Sequence, residues 1–110
     1  MAGFYERTYP AAARPPQPPG GLRVLLATAQ LLNPDETLEA CRKWTPPGAS
    51  VPAACEGTDF ADGGMPGNVA ALRRADLLVG VCTVESNNCN LVKLYAQSAG
   101  GGRGLVCAVR

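Results

Sequence analysis

The chain has 110 residues, 46% of them hydrophobic, and a formal net charge of +1 from ten basic and nine acidic side chains. This length and apolar content fit one globular domain with one core, and the near balance of charge argues against an extended nucleic-acid-binding surface. We expect no membrane span and no secretory signal, because no window is long and apolar enough for either. The chain contains no histidine, so it lacks the usual general base and the commonest metal ligand.

The cysteine pattern bears on compartment and metal binding. The five cysteines are Cys41, Cys55, Cys82, Cys89 and Cys107, and no two of them have C-x-x-C spacing. An odd number without a secretory signal predicts reduced thiols in an intracellular, reducing compartment, either the cytoplasm or an organelle matrix. Zinc would need four scattered cysteines. We therefore expect no metal site, and we also expect no cofactor.

The first 21 residues differ in composition from the remainder. Half of the ten prolines lie there, ahead of Gly20 and Gly21, and such a segment favours the extended polyproline II conformation. We predict an extended arm at 1–21 and a single α/β domain at 22–110. The arm is either a solvated tail or a docking segment. In the second case the partner-binding residues are Phe4, Tyr5, Tyr9, Pro15, Pro16, Pro18 and Pro19.

The first half of the domain reads as strand, helix and an irregular region. Residues 22–30 are the first predicted strand, and the apolar run at 24–27 is typical of a strand buried on both faces. Asn33 and Pro34 open a helix that extends to Trp44. Residues 50–55 predict a short edge strand, and a loop that carries three acids follows it. These acids are Glu56, Asp59 and Asp62.

The second half gives the clearest pattern: helix at 68–75, strand at 77–82, a helix from Ser86 or Asn87, and a closing strand at 105–109. On the last helix we predict that Leu91, Leu94, Tyr95 and Ser98 lie on one side. Three buried strands separated by helices predict an α/β fold with a small three-layer parallel sheet of three to four strands, flanked by helices. So small a sheet leaves an open edge that favours association.

Two segments are candidates for binding a small ligand. A glycine-rich stretch precedes the helix at 68–75, where free N–H groups bind phosphate, although it matches no phosphate-binding motif and a plain turn is the alternative. Gln30 follows the first strand, at the edge of an open sheet where ligands bind. The candidate ligand-binding residues are Gly63, Gly64, Gly67, Asn68 and Gln30.

Catalytic residue types are scarce. Glu85 follows the second buried strand and so lies at the ligand-binding edge. Cys89 is predicted in the first turn of a helix, where the dipole lowers a thiol pKa. No histidine assists it, and the alternative is an inert buried cysteine. We expect no catalytic residue, with Glu85 and Cys89 as the alternative.

The second half also resembles the nucleoside 2-deoxyribosyltransferase family, which includes the deoxynucleoside 5′-monophosphate N-glycosidases. The residues that carry the resemblance are Leu72, Ala75-Asp76, 77–81, Tyr95-Ala96 and 105–109. The resemblance implies the family's fold and its association between subunits. Asn68 stands where the family has a helix aspartate, and Val92 stands near its nucleophilic glutamate. The glycine-containing loop after the first strand is missing as well.

These observations lead to two functional expectations. The first is a non-catalytic accessory or structural subunit of a larger assembly, which docks through its N-terminal arm and open sheet edge onto a protein partner or a second copy. The alternative is a nucleoside- or nucleotide-binding protein, or an N-glycosidase of the deoxyribosyltransferase-like class. In neither case do we expect nucleic acid as a partner.

Overall fold

A computed structural model describes residues 4–7, 22–45, 52–86, 88–100 and 104–110. These residues form one five-stranded sheet with the strand order β1-β5-β4-β2-β3. The strands are β1 (Phe4–Arg7), β2 (Leu22–Thr28), β3 (Pro52–Asp59), β4 (Leu77–Cys82) and β5 (Gly104–Val109). The helices are α1 (Pro34–Trp44), α2 (Val69–Arg74) and α3 (Asn88–Gly100), and a 3₁₀ turn covers Asp62–Gly64.

Strands β2 to β5 run parallel, which confirms the predicted α/β fold. The connection from β2 leads outward to β3, whereas the connection from β4 leads the other way to β5. The direction of the chain connections therefore reverses between the neighbouring strands β2 and β4. In open parallel sheets a crevice forms at this point, beyond the carboxyl ends of the strands.

The helices cover both faces of the sheet and bury two apolar cores. On one face, Cys41 of α1 packs among buried residues of β2, β4 and β5. On the other face, α2 and α3 pack on the sheet through side chains that include Leu72 and Val92. Val92 is fully buried, and a Cβ built on Gly80 would lie 3.2 Å from its Cγ1. This close approach sets the distance of α3 from β4.

The predicted helix starts are confirmed for α1 and α2. Asn33 caps α1 by accepting a 2.9 Å hydrogen bond from the amide of Glu36 through its side chain. Asn68 caps α2 in the same way, accepting from the amide of Ala71 at 3.0 Å. Each cap satisfies a backbone donor that the first turn of a helix leaves without an intrahelical partner.

One local prediction is wrong. Glu56 and Asp59 belong to β3 and not to a loop, because β3 continues its parallel pairing with β2 as far as Thr28 and Asp59. On α3 the predicted side includes Leu94, which is 61% exposed, whereas the buried side carries Cys89 and Val92. A spacing of three residues satisfies the helical period as well as the predicted set does, and the sequence pattern does not rank the two faces.

The N-terminal segment contributes a strand to the sheet. β1 pairs antiparallel with β5, with Tyr5 opposite Cys107. The edge at β5 is therefore covered by this chain's own residues 4–7. Predicted arm residues Tyr9, Pro15, Pro16, Pro18 and Pro19 lie outside the described residues. Of the helices that are described, none combines the length and apolar character needed to cross a bilayer.

Four of the five cysteines are paired, contrary to the prediction of reduced thiols. Disulfides join Cys41 of α1 to Cys55 of β3 and Cys82 of β4 to Cys89 of α3. The Cα atoms are 6.8 Å apart in the first pair and 5.8 Å apart in the second. Sequence spacing did not suggest these pairs, because the cysteines of each pair come together only through tertiary folding. Cys107 is free and buried.

Candidate functional site

A cavity of about 170 Å³ lies at the carboxyl ends of β2 and β4, the two strands between which the connections reverse direction. This position is where ligands bind in open parallel sheets. We call this cavity the switch-point cavity. Its lining residues are Thr28, Ala29, Gln30, Leu32, Phe60, Val81, Cys82, Thr83, Ser86, Asn88 and Arg110.

The β2 side of the cavity is held in place by backbone contacts. Thr28 ends β2, and its hydroxyl donates a hydrogen bond to the carbonyl of Gln30, which turns the chain after the strand. The amide of Phe60 donates to the carbonyl of Thr28 at 3.0 Å. That bond brings the Phe60 ring to the cavity wall. Gln30, predicted to bind a ligand, does line the cavity.

The β4 side is formed by the strand end and the start of α3. The amide of Arg110 donates to the carbonyl of Cys82 at 2.8 Å, which holds Arg110 beside the cavity. Ser86 accepts a 3.1 Å hydrogen bond from the amide of Asn88 through its hydroxyl oxygen. The hydroxyl hydrogen of Ser86 is not used in that bond and remains a donor.

Arg110 has the only charged side chain among the described residues that line the cavity. Arg110 brings a guanidinium group, and the 13-residue helix α3 begins at the wall with Asn88. The N-terminus of a helix carries partial positive charge. None of the described lining residues is acidic. The cavity therefore favours a negatively charged group.

The predicted glycine segment lies beside the cavity and does not line it. Gly63 and Gly64 both adopt φ of +78°, which favours glycine. A Cβ on Gly64 would lie 2.8 Å from the Cα of Asn88, so this turn packs directly against the start of α3. The amide of Gly67 donates to the carbonyl of Asp59 at 2.7 Å. The structure thus gives the segment a supporting position, while ligand binding by Gly63, Gly64, Gly67 and Asn68 stays a prediction.

The two alternative catalytic residues do not meet in the cavity. Glu85 is exposed in the turn that follows β4 and is not a lining residue. Cys89 is 5% exposed, and its sulfur is bonded to Cys82. Burial raises the pKa of the remaining thiol, Cys107, from 9.0 to about 11, and the charge of Lys93 opposes this shift only in part. None of these groups is placed as a nucleophile for a ligand in the cavity.

The opposite end of the sheet carries a structural ion pair. Asp76 is 8% exposed and accepts hydrogen bonds from Arg23 at its backbone amide (3.0 Å) and its Nε (3.1 Å). A second cavity of about 160 Å³ lies at this end. Its other charged lining residues, Glu56 and Arg74, form an exposed ion pair of 3.2 Å. Because these charges are already paired, this end offers less for a ligand than the switch-point cavity.

No protein-family model matches the chain, and neither a curated protein nor a solved structure does. Val92, which the family resemblance aligns with a catalytic glutamate, is fully buried in the core beneath α3 and lines no wall of the switch-point cavity. Among the described residues, no group of three or more acidic, cysteine or histidine side chains is placed to hold a metal ion.

Sequence reasoning missed most of the polar wall of the cavity. The missed polar residues are Thr28, Thr83, Ser86, Asn88 and Arg110. The rule that ligands bind beyond the carboxyl ends of parallel strands singles out the residues that follow each strand. Applied to β5, the same rule would have selected Arg110. The contribution of Phe60 had no such signal, because it depends on how β3 leaves the sheet.

Proposed function

We propose that this protein binds a small molecule with an anionic group, such as a phosphate, in the switch-point cavity, and that it does not transform this molecule. The observation that carries the proposal is the combination of Arg110 and the start of α3 in one wall, with no acidic residue among the described lining residues. Charge-assisted hydrogen bonds from a guanidinium to phosphate or carboxylate are stronger than neutral ones and fix the orientation of the anion.

Four side chains of the cavity wall can donate hydrogen bonds to such an anion. Arg110 supplies guanidinium N–H groups, and Thr83 and Ser86 supply hydroxyl groups. The side-chain amide of Asn88 adds a further donor at the N-terminus of α3. On the β2 side, Leu32 and Phe60 provide an apolar surface for the uncharged part of the ligand. This division into a polar wall and an apolar wall is typical of small-molecule sites.

The size of the cavity limits the ligand. Its volume of about 170 Å³ is below the roughly 300–1,000 Å³ of sites that enclose drug-sized molecules. A phosphate with part of a sugar fits these dimensions better than a dinucleotide does. The nucleoside or nucleotide alternative is therefore retained here in a restricted form, with the phosphate enclosed and the base outside.

The absence of catalysis is part of the proposal and follows from the residue types in the wall. The chain contains no histidine, and the side chains of the described lining residues offer hydroxyl, amide and guanidinium groups but no carboxylate. Guanidinium and amide groups are not general bases near neutral pH. These groups hold a ligand and do not accept protons from it.

The proposal is tested by calorimetric titration of the full chain with inorganic phosphate, a pentose 5-phosphate and a nucleoside 5′-monophosphate. Arg110→Gln should weaken binding by about ten- to a hundredfold, because a hydrogen bond to a charged group contributes about 1.5–3 kcal/mol. The matched control is Arg42→Gln, which removes an exposed arginine from the last turn of α1. Equal affinity of the two variants for every probe, or no binding of any probe to the unmodified protein, would reject the proposal.

The accessory-subunit hypothesis is a second proposal. The observation that favours it is that β3 pairs only with β2 among the described strands, which leaves the other side of β3 as a sheet edge. Edge strands present unpaired N–H and C=O groups to other chains. Sedimentation of the full chain should then give a mass above that of a monomer. A full chain that is monomeric at all concentrations would count against self-association.

A further inference from the structure

The disulfide between Cys82 and Cys89 encloses part of the wall of the switch-point cavity. Cys82 is the last residue of β4 and Cys89 is the second residue of α3, and their Cα atoms are 5.8 Å apart. The segment between them carries three of the polar lining residues. These residues are Thr83, Ser86 and Asn88. The bond therefore ties together the two ends of the segment that forms the polar wall.

Among the described residues between the two cysteines, those at 83–86 have few other contacts. Val84 is 70% exposed and Glu85 is exposed, so neither side chain contributes to the core. Inside the segment, the amide of Ser86 donates to the carbonyl of Thr83 at 3.1 Å, and Ser86 in turn accepts from Asn88. Segments with few buried contacts open at low free-energy cost. The disulfide is thus the main covalent constraint on this part of the wall.

The two sulfurs differ in a way that sets the direction of thiol–disulfide exchange. Both cysteines are 5% exposed, and Cys82 lines the cavity whereas Cys89 does not, so the cavity is the side from which a thiolate approaches Cys82. Cys89 lies in the first turn of α3. A thiolate at that position is stabilised by the helix dipole, which makes Cys89 the better leaving group.

We propose that the Cys82–Cys89 disulfide is a redox switch that controls the shape of the switch-point cavity, with a small dithiol as the reductant. A thiolate of the dithiol attacks the sulfur of Cys82, which forms a mixed disulfide and releases Cys89 as a thiolate. The second thiolate of the dithiol then attacks the mixed disulfide, which releases Cys82 and leaves the reductant as a cyclic disulfide. The protein gains two electrons and two protons, and the dithiol loses the same number. Reoxidation by a small-molecule disulfide reverses these steps.

The remaining thiol does not interfere with this exchange. The Cys107 thiol donates a weak hydrogen bond to the carbonyl of Cys89 at 3.6 Å and is fully buried. Burial raises the pKa of the Cys107 thiol to about 11, so it stays protonated near neutral pH and is a poor nucleophile. The effect of the switch on a ligand rests on the proposed binding function, whereas its effect on the segment does not.

The test compares the oxidised full chain with the chain reduced by dithiothreitol. Differential alkylation and mass spectrometry establish which cysteines are paired. Hydrogen–deuterium exchange then measures the amides between Cys82 and Cys89, and calorimetry measures the affinity for inorganic phosphate. We expect exchange in this segment to become at least about fivefold faster on reduction, and phosphate affinity to fall by a similar factor, as in moderate coupling between sites. A variant with Cys41→Ala and Cys55→Ala should keep both responses, because that disulfide does not line the cavity.

The outcomes separate the switch from the proposed function. Equal exchange rates of the segment in the two forms, or reduced Cys82 and Cys89 after treatment with a disulfide oxidant, overturn the switch. Faster exchange with equal phosphate affinity in both forms overturns its control of the ligand. Faster exchange without phosphate binding to either form supports the switch in the segment and rejects inorganic phosphate as a ligand of the proposed site. The comparison of the two forms uses the unmodified chain, and the variant with Cys41→Ala and Cys55→Ala assigns the response to the Cys82–Cys89 pair.

Discussion

Substitution of Gly80 by alanine tests the packing that places α3, and with it the polar wall of the cavity. A Cβ at this position would lie 3.2 Å from Cγ1 of Val92 and 3.7 Å from the sulfur of Cys107. The optimal separation of carbon atoms is about 3.5–4.0 Å, so α3 or β4 must shift by a few tenths of an ångström. Overpacking of this kind costs about 1–3 kcal/mol of unfolding free energy. We expect Gly80→Ala to destabilise the protein by this amount.

The cause is isolated by a second substitution. Val92→Ala by itself should cost about 2 kcal/mol, because it removes two methylene equivalents of about 0.8 kcal/mol each and leaves a small cavity. The same change also removes the atom that clashes with the new methyl group. The double variant should therefore be more stable than the sum of the single changes predicts, by about 1 kcal/mol or more.

The measurement is urea unfolding followed by the fluorescence of Trp44, the only tryptophan of the chain. The control pairs Gly80→Ala with Val24→Ala. Val24 is 3% exposed, belongs to the core on the other face of the sheet, and lies three residues before Ala27, which pairs with Gly80. That pair should be additive within about 0.5 kcal/mol. Additivity of Gly80→Ala and Val92→Ala, or a neutral effect of Gly80→Ala alone, would refute the described packing of α3 on β4.

Three further predictions follow from the same structure. Asp76→Ala should lower the free energy of unfolding by about 2–3 kcal/mol, because it leaves the backbone amide and the guanidinium of Arg23 without their charged acceptor. Glu56→Ala, in the exposed ion pair, should lower it by only about 0–1 kcal/mol in the same urea experiment. Gly64→Ala should destabilise more than Gly63→Ala in thermal unfolding, since both have φ of +78° but only the first places its Cβ against α3, at 2.8 Å; equal losses would contradict that contact. Between pH 9 and pH 11 the stability of the protein should fall more steeply than that of the Cys107→Ala variant. The Cys107 thiol deprotonates near pH 9 in the unfolded chain but stays protonated up to about pH 11 in the folded protein, because burial raises its pKa. Parallel stability curves would refute the burial of this thiol.

The fold was largely predictable because its main signals are local. Short segments of sequence contain the apolar runs of β2, β4 and β5 and the cap Asn33, and the structure has them where the pattern placed them. The extent of β3 was not predictable in the same way. Its polar residues are held by pairing with β2, and pairing with a distant strand leaves no local pattern.

The candidate site was less predictable, because it is assembled from separate strand ends. Gln30 was recognised since it directly follows a clear strand, and it does line the cavity. Arg110 and Phe60 come from other parts of the chain and meet Gln30 only through the sheet order. The cysteine pairs were missed for the same reason, because residues 14 positions apart come together only when α1 packs beside β3.

The most direct test of the proposed binding site is an amide NMR titration of the oxidised full chain with inorganic phosphate and then with a nucleoside 5′-monophosphate. Binding in the switch-point cavity predicts saturable shifts of the amides of Gln30, Thr83, Ser86, Asn88 and Arg110, which all line it. The amides of Arg23 and Asp76, at the opposite end of the sheet, should not move. Shifts centred on those two residues, or no saturable shift with either probe, would contradict the assignment of the site.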